Sequence, residues 1–347
     1  LNEIMNKLFF VPALSYYDDK FGFEEEDLID GAHEIVKNVH TWLGAGFDEE
    51  KCKCGEEVEI LGVTFDFKKN EVKVKEKRKE DILAWIQKIL DEEKLTPGEA
   101  GKLKGVLQFA SSQIWGKVGR AFLRALSERQ YDKSGSNLSL NGALKASLIF
   151  WKYLIAKGPA RPIQVFEEAE ADVVVFTDGF WPDESSKEEA RVGAVVFNKV
   201  TSEVDYISVE IKKEIMKEWV PRKTQVSMIE MLAPVIVNDA FKEELRGKKV
   251  LLFVDSECVE GAVVKGYSAK EDLCWLNALF WQQALELDAL FYIDRVSTDA
   301  NISDGPSRGR DREAKQGGWK FRKAEVPSTV KEGLGKFLEK IVRAAEL

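Results

Sequence analysis

Apolar residues in the first 67 positions fall in short runs over 8–14 and 58–67, the second broken by Gly62, with a helix-spaced stretch over 25–43 between them. Short apolar runs bounded by turn residues predict strands, so this region is expected to be α/β. From about Lys77 the period changes. Ile82, Trp85, Ile86 and Ile89 recur at helical spacing, and Thr96-Pro97-Gly98-Glu99 offers an N-cap, a proline at the first helical position and a capping-box acid. Helices are expected over 97–114, 115–131 and 140–156, with 132–137 as a polar loop. The run Lys157-Gly158-Pro159-Ala160-Arg161-Pro162 cannot continue a helix and is the best boundary in the chain.

Beyond it the pattern predicts three strands in an antiparallel meander, over 173–176, 192–197 and 204–211. A helix over 225–245 follows, then 250–254, a fully apolar run of the kind found in buried parallel strands. Helices over 257–265 and 270–288, a strand over 290–296 and a terminal helix over 330–347 complete the expectation. The chain thus reads as an α/β region 1–76, a helical region 77–158, a second α/β region 163–309 with its own strand and helix complement, and a basic extension 310–347.

Composition narrows the class. With 347 residues, 44% hydrophobic and 32% charged, the chain is expected to fold, and its length suits roughly two domains. No stretch reaches the roughly 18 apolar residues of a membrane helix, and no secretory signal pattern opens the chain, so an intracellular place, cytoplasmic or nuclear, is expected. The chain opens at Leu1 inside an apolar pattern, as a fragment of a longer protein would. Cys52-x-Cys54 lacks a second ligand pair at zinc spacing, and His33 and His40 share a helix face without further ligands. A net charge of -9 excludes a protein that coats nucleic acid nonspecifically, which needs Lys and Arg to release counterions. It does not exclude a nuclease, whose metal-holding acids add negative charge while basic residues cluster locally, as over 68–79 and 308–323.

Four acids stand where a metal site would put them. Asp178 ends the run Val173 to Thr177, and Asp255 ends the later run Leu251 to Val254, so neighbouring strands would bring both to one sheet edge. Glu230 interrupts the apolar Met228-Ile229-Glu230-Met231-Leu232, where an unpaired charge is costly. Asp304 heads a turn-rich segment that follows the last strand. Hard oxygen ligands suit Mg2+ or Mn2+, and two such ions stabilise the attacking and leaving oxygens of a phosphoryl displacement. Phosphodiester hydrolysis is the chemistry expected.

Residues 172–308 resemble the ribonuclease H domain of a retroelement polyprotein, on Thr177-Asp178-Gly179, Glu230 in its helix, Val254-Asp255-Ser256 and the ending Asn301-x-x-Asp304-x-x-Ser307-Arg308. The segment 257–268 is similar to the corresponding part of DIRS-like and related elements. The resemblance implies a ribonuclease H-like fold with a mixed five-stranded sheet in the order βββαβαβα. It also implies two Mg2+ or Mn2+ ions held by Asp178, Glu230, Asp255 and Asp304, and cleavage of RNA in an RNA/DNA hybrid. A histidine that many relatives carry before the last acid has no counterpart in 296–300.

Earlier in the chain, Tyr16-Tyr17-Asp18-Asp19 resembles the metal-presenting turn of a reverse transcriptase palm, and 77–158 resembles the thumb and connection helices of the same elements. Asp18 and Asp19 are then the polymerase remnant; Lys20 follows them where relatives carry an apolar residue, and polymerisation by this chain alone is not expected. Contacts with nucleic acid are expected from Trp219-Val220-Pro221-Arg222-Lys223, and from Asn301, Arg308 and Arg310. Two rival readings are an inactive nucleic-acid-binding remnant and a ribonuclease H-fold transposase or integrase.

Overall fold

The computed structural model describes residues 1–46, 48–132, 138–163, 170–182, 188–217, 219–333 and 336. The expected loop residues 133–137, and most of the expected terminal helix beyond Ser328–Lys331, lie outside them. The chain divides into two compact units, Leu1–Glu71 and Val72–Leu347.

The first unit opens with an unexpected helix, Asn2–Leu8, and of the run 8–14 expected as a strand only Ala13 and Leu14 lie in one. Met5 on that helix is fully buried and packs with Val11, Ala13, Ala32 and Val39, the last two on helix Ile29–Trp42. A hairpin pairs strand Ala13–Tyr16 with Asp19–Gly22, register Tyr16↔Asp19, so Tyr17 and Asp18 form its two-residue turn. Tyr17 takes the left-handed conformation at φ 54°. A second hairpin pairs Glu57–Ile60 with Val63–Asp66. Its turn, Leu61-Gly62, has positive φ at both residues, the twist that suits a two-residue hairpin.

In the second unit, helices Glu76–Glu92, Pro97–Ser111, Leu123–Gln130 and Gly142–Lys157 form the helical layer. The Thr96 capping box closes as expected, its side chain accepting from the Glu99 backbone while Glu99 accepts from the Thr96 backbone. The helix expected over 115–131 is a correction, because regular helix begins only at Leu123, after a 3₁₀ turn at Arg120–Phe122. The reason is packing. Trp115 N donates to Pro159 O, Gly116 takes φ +59°, and a Cβ at Gly119 would meet the Trp151 ring at 2.5 Å. Residues 115–119 therefore turn against the chain that follows the helical layer, and Ile114 bridges to Ala160 within the expected boundary.

The sheet has six strands in the spatial order Leu290–Arg295, Lys249–Val254, Val173–Phe180, Arg191–Asn198, Glu203–Glu210 and Lys320–Phe321. The three middle-to-late strands form the expected antiparallel meander, and Lys249–Val254 and Leu290–Arg295 add in parallel on the other side. The sheet is thus mixed, and its succession of elements is the expected one up to a sixth, two-residue strand that pairs parallel with Glu203–Glu210. Helix Val226–Ala240 packs on the first two strands of the meander, and after a break at Phe241 a second short helix, Lys242–Leu245, carries the stretch to its expected end. Helices Glu257–Lys265 and Glu271–Glu286 lie where expected. One hydrophobic core runs from Val74 through Leu103, Trp151, Val175 and Ile229 to Val330, so the helical layer and the sheet share their interior. Among the described residues no helix is long and apolar enough to cross a membrane.

Candidate active site

Parallel pairing sets the first part of the site. Strand Lys249–Val254 lies beside Val173–Phe180 with Val254 opposite Thr177, so Asp255, just past its strand, and Asp178, still inside its own strand rather than at its expected end, stand side by side at one end of the sheet. This is the edge the two apolar runs predicted. Asp178 is 7% exposed, accepts a hydrogen bond from Ser307 Oγ, and lies close enough to Asp255 for a carboxyl–carboxyl hydrogen bond.

Glu230 comes from the helix across the meander, and Gly179 lets it approach. A Cβ at Gly179 would lie 2.5 Å from Glu230 N and 2.8 Å from Glu230 Cα, so the helix backbone rests directly on the strand. A second glycine does the same for the last segment. Gly193, opposite Asp178, has room for no Cβ, which would meet Ser307 N at 2.2 Å and Ser303 O at 2.7 Å. Helix Asp304–Ser307 therefore sits against the sheet, where Ser208 Oγ also donates to Pro306 O at 2.7 Å. Gly193 was missed in the sequence, although a glycine inside a strand marks a close approach.

Burial and like charge act together on the acids. Glu230 is raised to about 7, chiefly by burial, against a hydrogen bond from Ser256 and with the Asp255 and Asp178 charges adding to the rise. Asp255 is raised to about 6, again by burial first and then by Asp178, while a hydrogen bond from Asn301 opposes the rise. Both groups hold protons more tightly folded than unfolded, so their contribution to stability is lost as pH rises from about 4 through about 7. The metal-free protein should accordingly melt lower at pH 7.5 than at pH 5.5, with Mg2+ raising the melting temperature most at the higher pH. Calorimetry checks this, and Glu230→Gln should flatten the profile.

The remaining expected residues divide. Asp304 heads its short helix as expected, but its carboxylate accepts from Arg308 Nε at 2.8 Å, and it is absent from the charges acting on Glu230 and Asp255. Arg308 also covers the Phe180 ring, 5.0 Å from its centroid. Asn301, expected at nucleic acid, is instead 4% exposed. Its Nδ2 donates to Thr177 O at 3.1 Å and its Oδ1 accepts from Ser303 Oγ at 2.6 Å, which makes it a brace for the Asp178 strand end. Arg222 is likewise engaged, donating to both oxygens of buried Asp272 at 2.5 and 2.7 Å, and Trp219 is in the core. Lys223 and Arg310 are exposed. Lys223 and Lys270 line a cavity of about 220 Å³ with Thr224, Gln225 and Ser227, at the start of the Glu230 helix. In the first unit, Asp18 and Asp19 are exposed at the hairpin tip, where their charges help raise Lys51 after its closer partner Asp48.

Among the described residues no three His, Cys, Asp or Glu side chains are already gathered around one point for an ion. The donor chemistry nonetheless fits a divalent cation. Asp178, Glu230 and Asp255 are hard oxygen ligands, they repel one another, and among the described residues none of the three has a Lys or Arg partner.

No protein-family model matches the chain, and no curated protein matches it. Solved structures do align. The ribonuclease H1 of the archaeon Halobacterium salinarum is 18% identical over 38% of this chain and 89% of its own, with a TM-score of 0.30. The N-terminal ribonuclease H domain of a Mycobacterium tuberculosis protein, fused to maltose-binding protein, is 17% identical over 43% of this chain and 99% of its own, TM-score 0.31. A foamy viral protease-reverse transcriptase, dRH form in complex with double-stranded DNA, is 15% identical over 84% of this chain and 48% of its own, TM-score 0.39.

Proposed function

We propose that this chain is a divalent-metal-dependent nuclease with a ribonuclease H-like sheet, that it hydrolyses the RNA strand of RNA/DNA hybrids, and that it derives from a retroelement reverse transcriptase polyprotein. The observation that carries the reading is the meeting of Asp178, Glu230 and Asp255, from two parallel strands and a helix, at one sheet edge where the Asp178 charge raises Asp255 and both raise Glu230. Mg2+ or Mn2+ bound by these three, with Asp304 once released from Arg308, would supply Lewis acidity to the attacking and leaving oxygens of the phosphodiester.

The chain's own groups fix the ligands. Ser307 Oγ orients the Asp178 carboxylate, Ser256 orients Glu230, and Asn301 braces both Thr177 and Asp255. Such bracing keeps carboxylates in place before substrate arrives, which is what metal-ligand supports do. Exposed Lys223, beside the lysine-lined cavity, is positioned to meet backbone phosphate.

A substrate panel tests the reading. Incubated with Mg2+ or Mn2+, the protein should cut the labelled RNA strand of a hybrid and leave duplex DNA whole, because the 2′-hydroxyl distinguishes RNA from DNA. Cutting of duplex DNA alone would favour a transposase- or integrase-like nuclease. Binding without any cutting would identify an inactive remnant.

A further inference from the structure

Lys117 and Arg120 meet the end of helix Glu257–Lys265, and Arg161, held beside Ser112, stands near enough for its charge to act on both. Lys117 and Arg120 flank Gly266, where an added Cβ would touch both side chains, and Arg161 follows Ala160, the partner of Ile114. Lys117 Nζ donates to Val264 O, Arg120 Nη1 to Lys265 O at 3.2 Å, and Arg161 Nη1 to Ser112 O at 3.2 Å. Most donors of each group remain unspent, since an ammonium carries three N–H groups and a guanidinium five.

Fastening the helix end does not account for the cluster. A helix C-terminus offers only about half a negative charge, far less than the positive charge these groups carry. The carbonyls of Ala262 and Val263 are already met by the neutral donors Asn277 Nδ2 at 2.7 Å and Trp281 Nε1 at 3.1 Å. Arg161 spends its hydrogen bond elsewhere. Among the described residues none of the three pairs with a carboxylate, whereas neighbouring Arg124 pairs with Glu128 at 2.5 Å and Glu271 at 3.7 Å. Burial, then the charges of Arg120 and Arg161, hold Lys117 down at about 8, and burial and Arg161 lower Arg120. Lys117 Nζ also lies 5.5 Å from the Trp281 ring centroid, but in a chain of net charge -9, three cations at one seam with no carboxylate partner among the described residues suit an anion.

We propose that Lys117, Arg120 and Arg161 form a phosphodiester site that grips the backbone of the nucleic-acid substrate away from the carboxylates. The proposal rests on the nuclease reading for its choice of anion. Helix Glu257–Lys265 starts just after Asp255, and its nine residues span roughly 13 Å at 1.5 Å each, close to four base-pair steps of about 3.4 Å. A duplex engaged at the carboxylate edge is therefore long enough to reach both places.

The test is binding without cleavage. Anisotropy of a fluorescein-labelled RNA/DNA hybrid in EDTA, between about 50 and 200 mM salt, should give a slope of log affinity against log salt that shrinks by about 0.9 in Arg161→Gln and about 1.8 in the Arg120→Gln/Arg161→Gln double variant. Arg161 is exposed, so the single variant decides the matter if the double variant melts early. Unchanged slopes in a folded variant would overturn the site, as would a wild-type protein that binds no hybrid. Loss of inorganic phosphate binding with unchanged hybrid binding would also overturn it, by showing a free-anion site. Reduced slopes in a protein that never cuts RNA with Mg2+ would leave the site standing and remove the nuclease reading.

Discussion

Asp178→Asn should abolish RNA cleavage while leaving the protein folded. Asparagine fills nearly the same volume and can still accept from Ser307 Oγ, so the strand end keeps its support. What it loses is the negative charge. Lewis-acid stabilisation of a phosphoryl displacement is worth several kcal/mol, and a loss of about 4 kcal/mol corresponds to roughly a thousandfold in rate. The same change removes one of the charges that raise Asp255 and Glu230, so the metal-free variant should melt at or above the wild-type temperature at pH 7.5. Single-turnover cleavage and calorimetry on one preparation check both parts. Cutting at the wild-type rate would place the activity elsewhere, and a lower melting temperature would show that the carboxylate is structural.

Gly193→Ala should be the most damaging single methyl addition near the site. The new Cβ would stand 2.2 Å from Ser307 N and 2.7 Å from both Pro306 C and Ser303 O, all backbone atoms that cannot swing aside. Overpacking costs about 1–3 kcal/mol, and three backbone clashes put this change near the upper end. For a unit of this size that is a fall of roughly 5 °C in melting temperature. The segment that must move carries Asn301, Ser303, Asp304 and Ser307, so cleavage should fall further than stability alone explains. Gly247→Ala is a useful contrast. Its Cβ has nothing within 4 Å, although its φ of +66° adds backbone strain, so it should cost stability without a specific loss of cleavage. A Gly193→Ala protein with unchanged melting and cleavage would mean that the segment is not seated on the strand as described.

The main strands, most helices and the acids Asp178 and Asp255 were legible because their signals are local, although the Asp178 strand runs on to Phe180. Apolar runs of strand length, a capping box at Thr96 to Glu99 and an acid directly after an apolar run each report on a few adjacent residues. Glu230 was legible by contradiction, as a charge in an apolar helix.

Other features depend on which distant parts of the chain meet. Nothing near residue 115 says that a turn against Pro159 and Trp151 displaces the expected helix start to Leu123. Nothing near Arg222 or Asn301 says that a buried partner, Asp272 or Thr177, takes the donors that were expected to face nucleic acid. Sequence by itself determined most of the order of elements in the sheet region and the chemical types at its edge, because propensity and periodicity act over a few residues. Tertiary structure alone decided that Gly179 and Gly193 admit the helices bearing Glu230 and Ser307, and that Lys117 and Arg120 come to lie near Arg161 with no carboxylate partner among the described residues. These are packing and charge relations between residues far apart in the chain, and only the folded backbone brings them within the few ångströms at which they act.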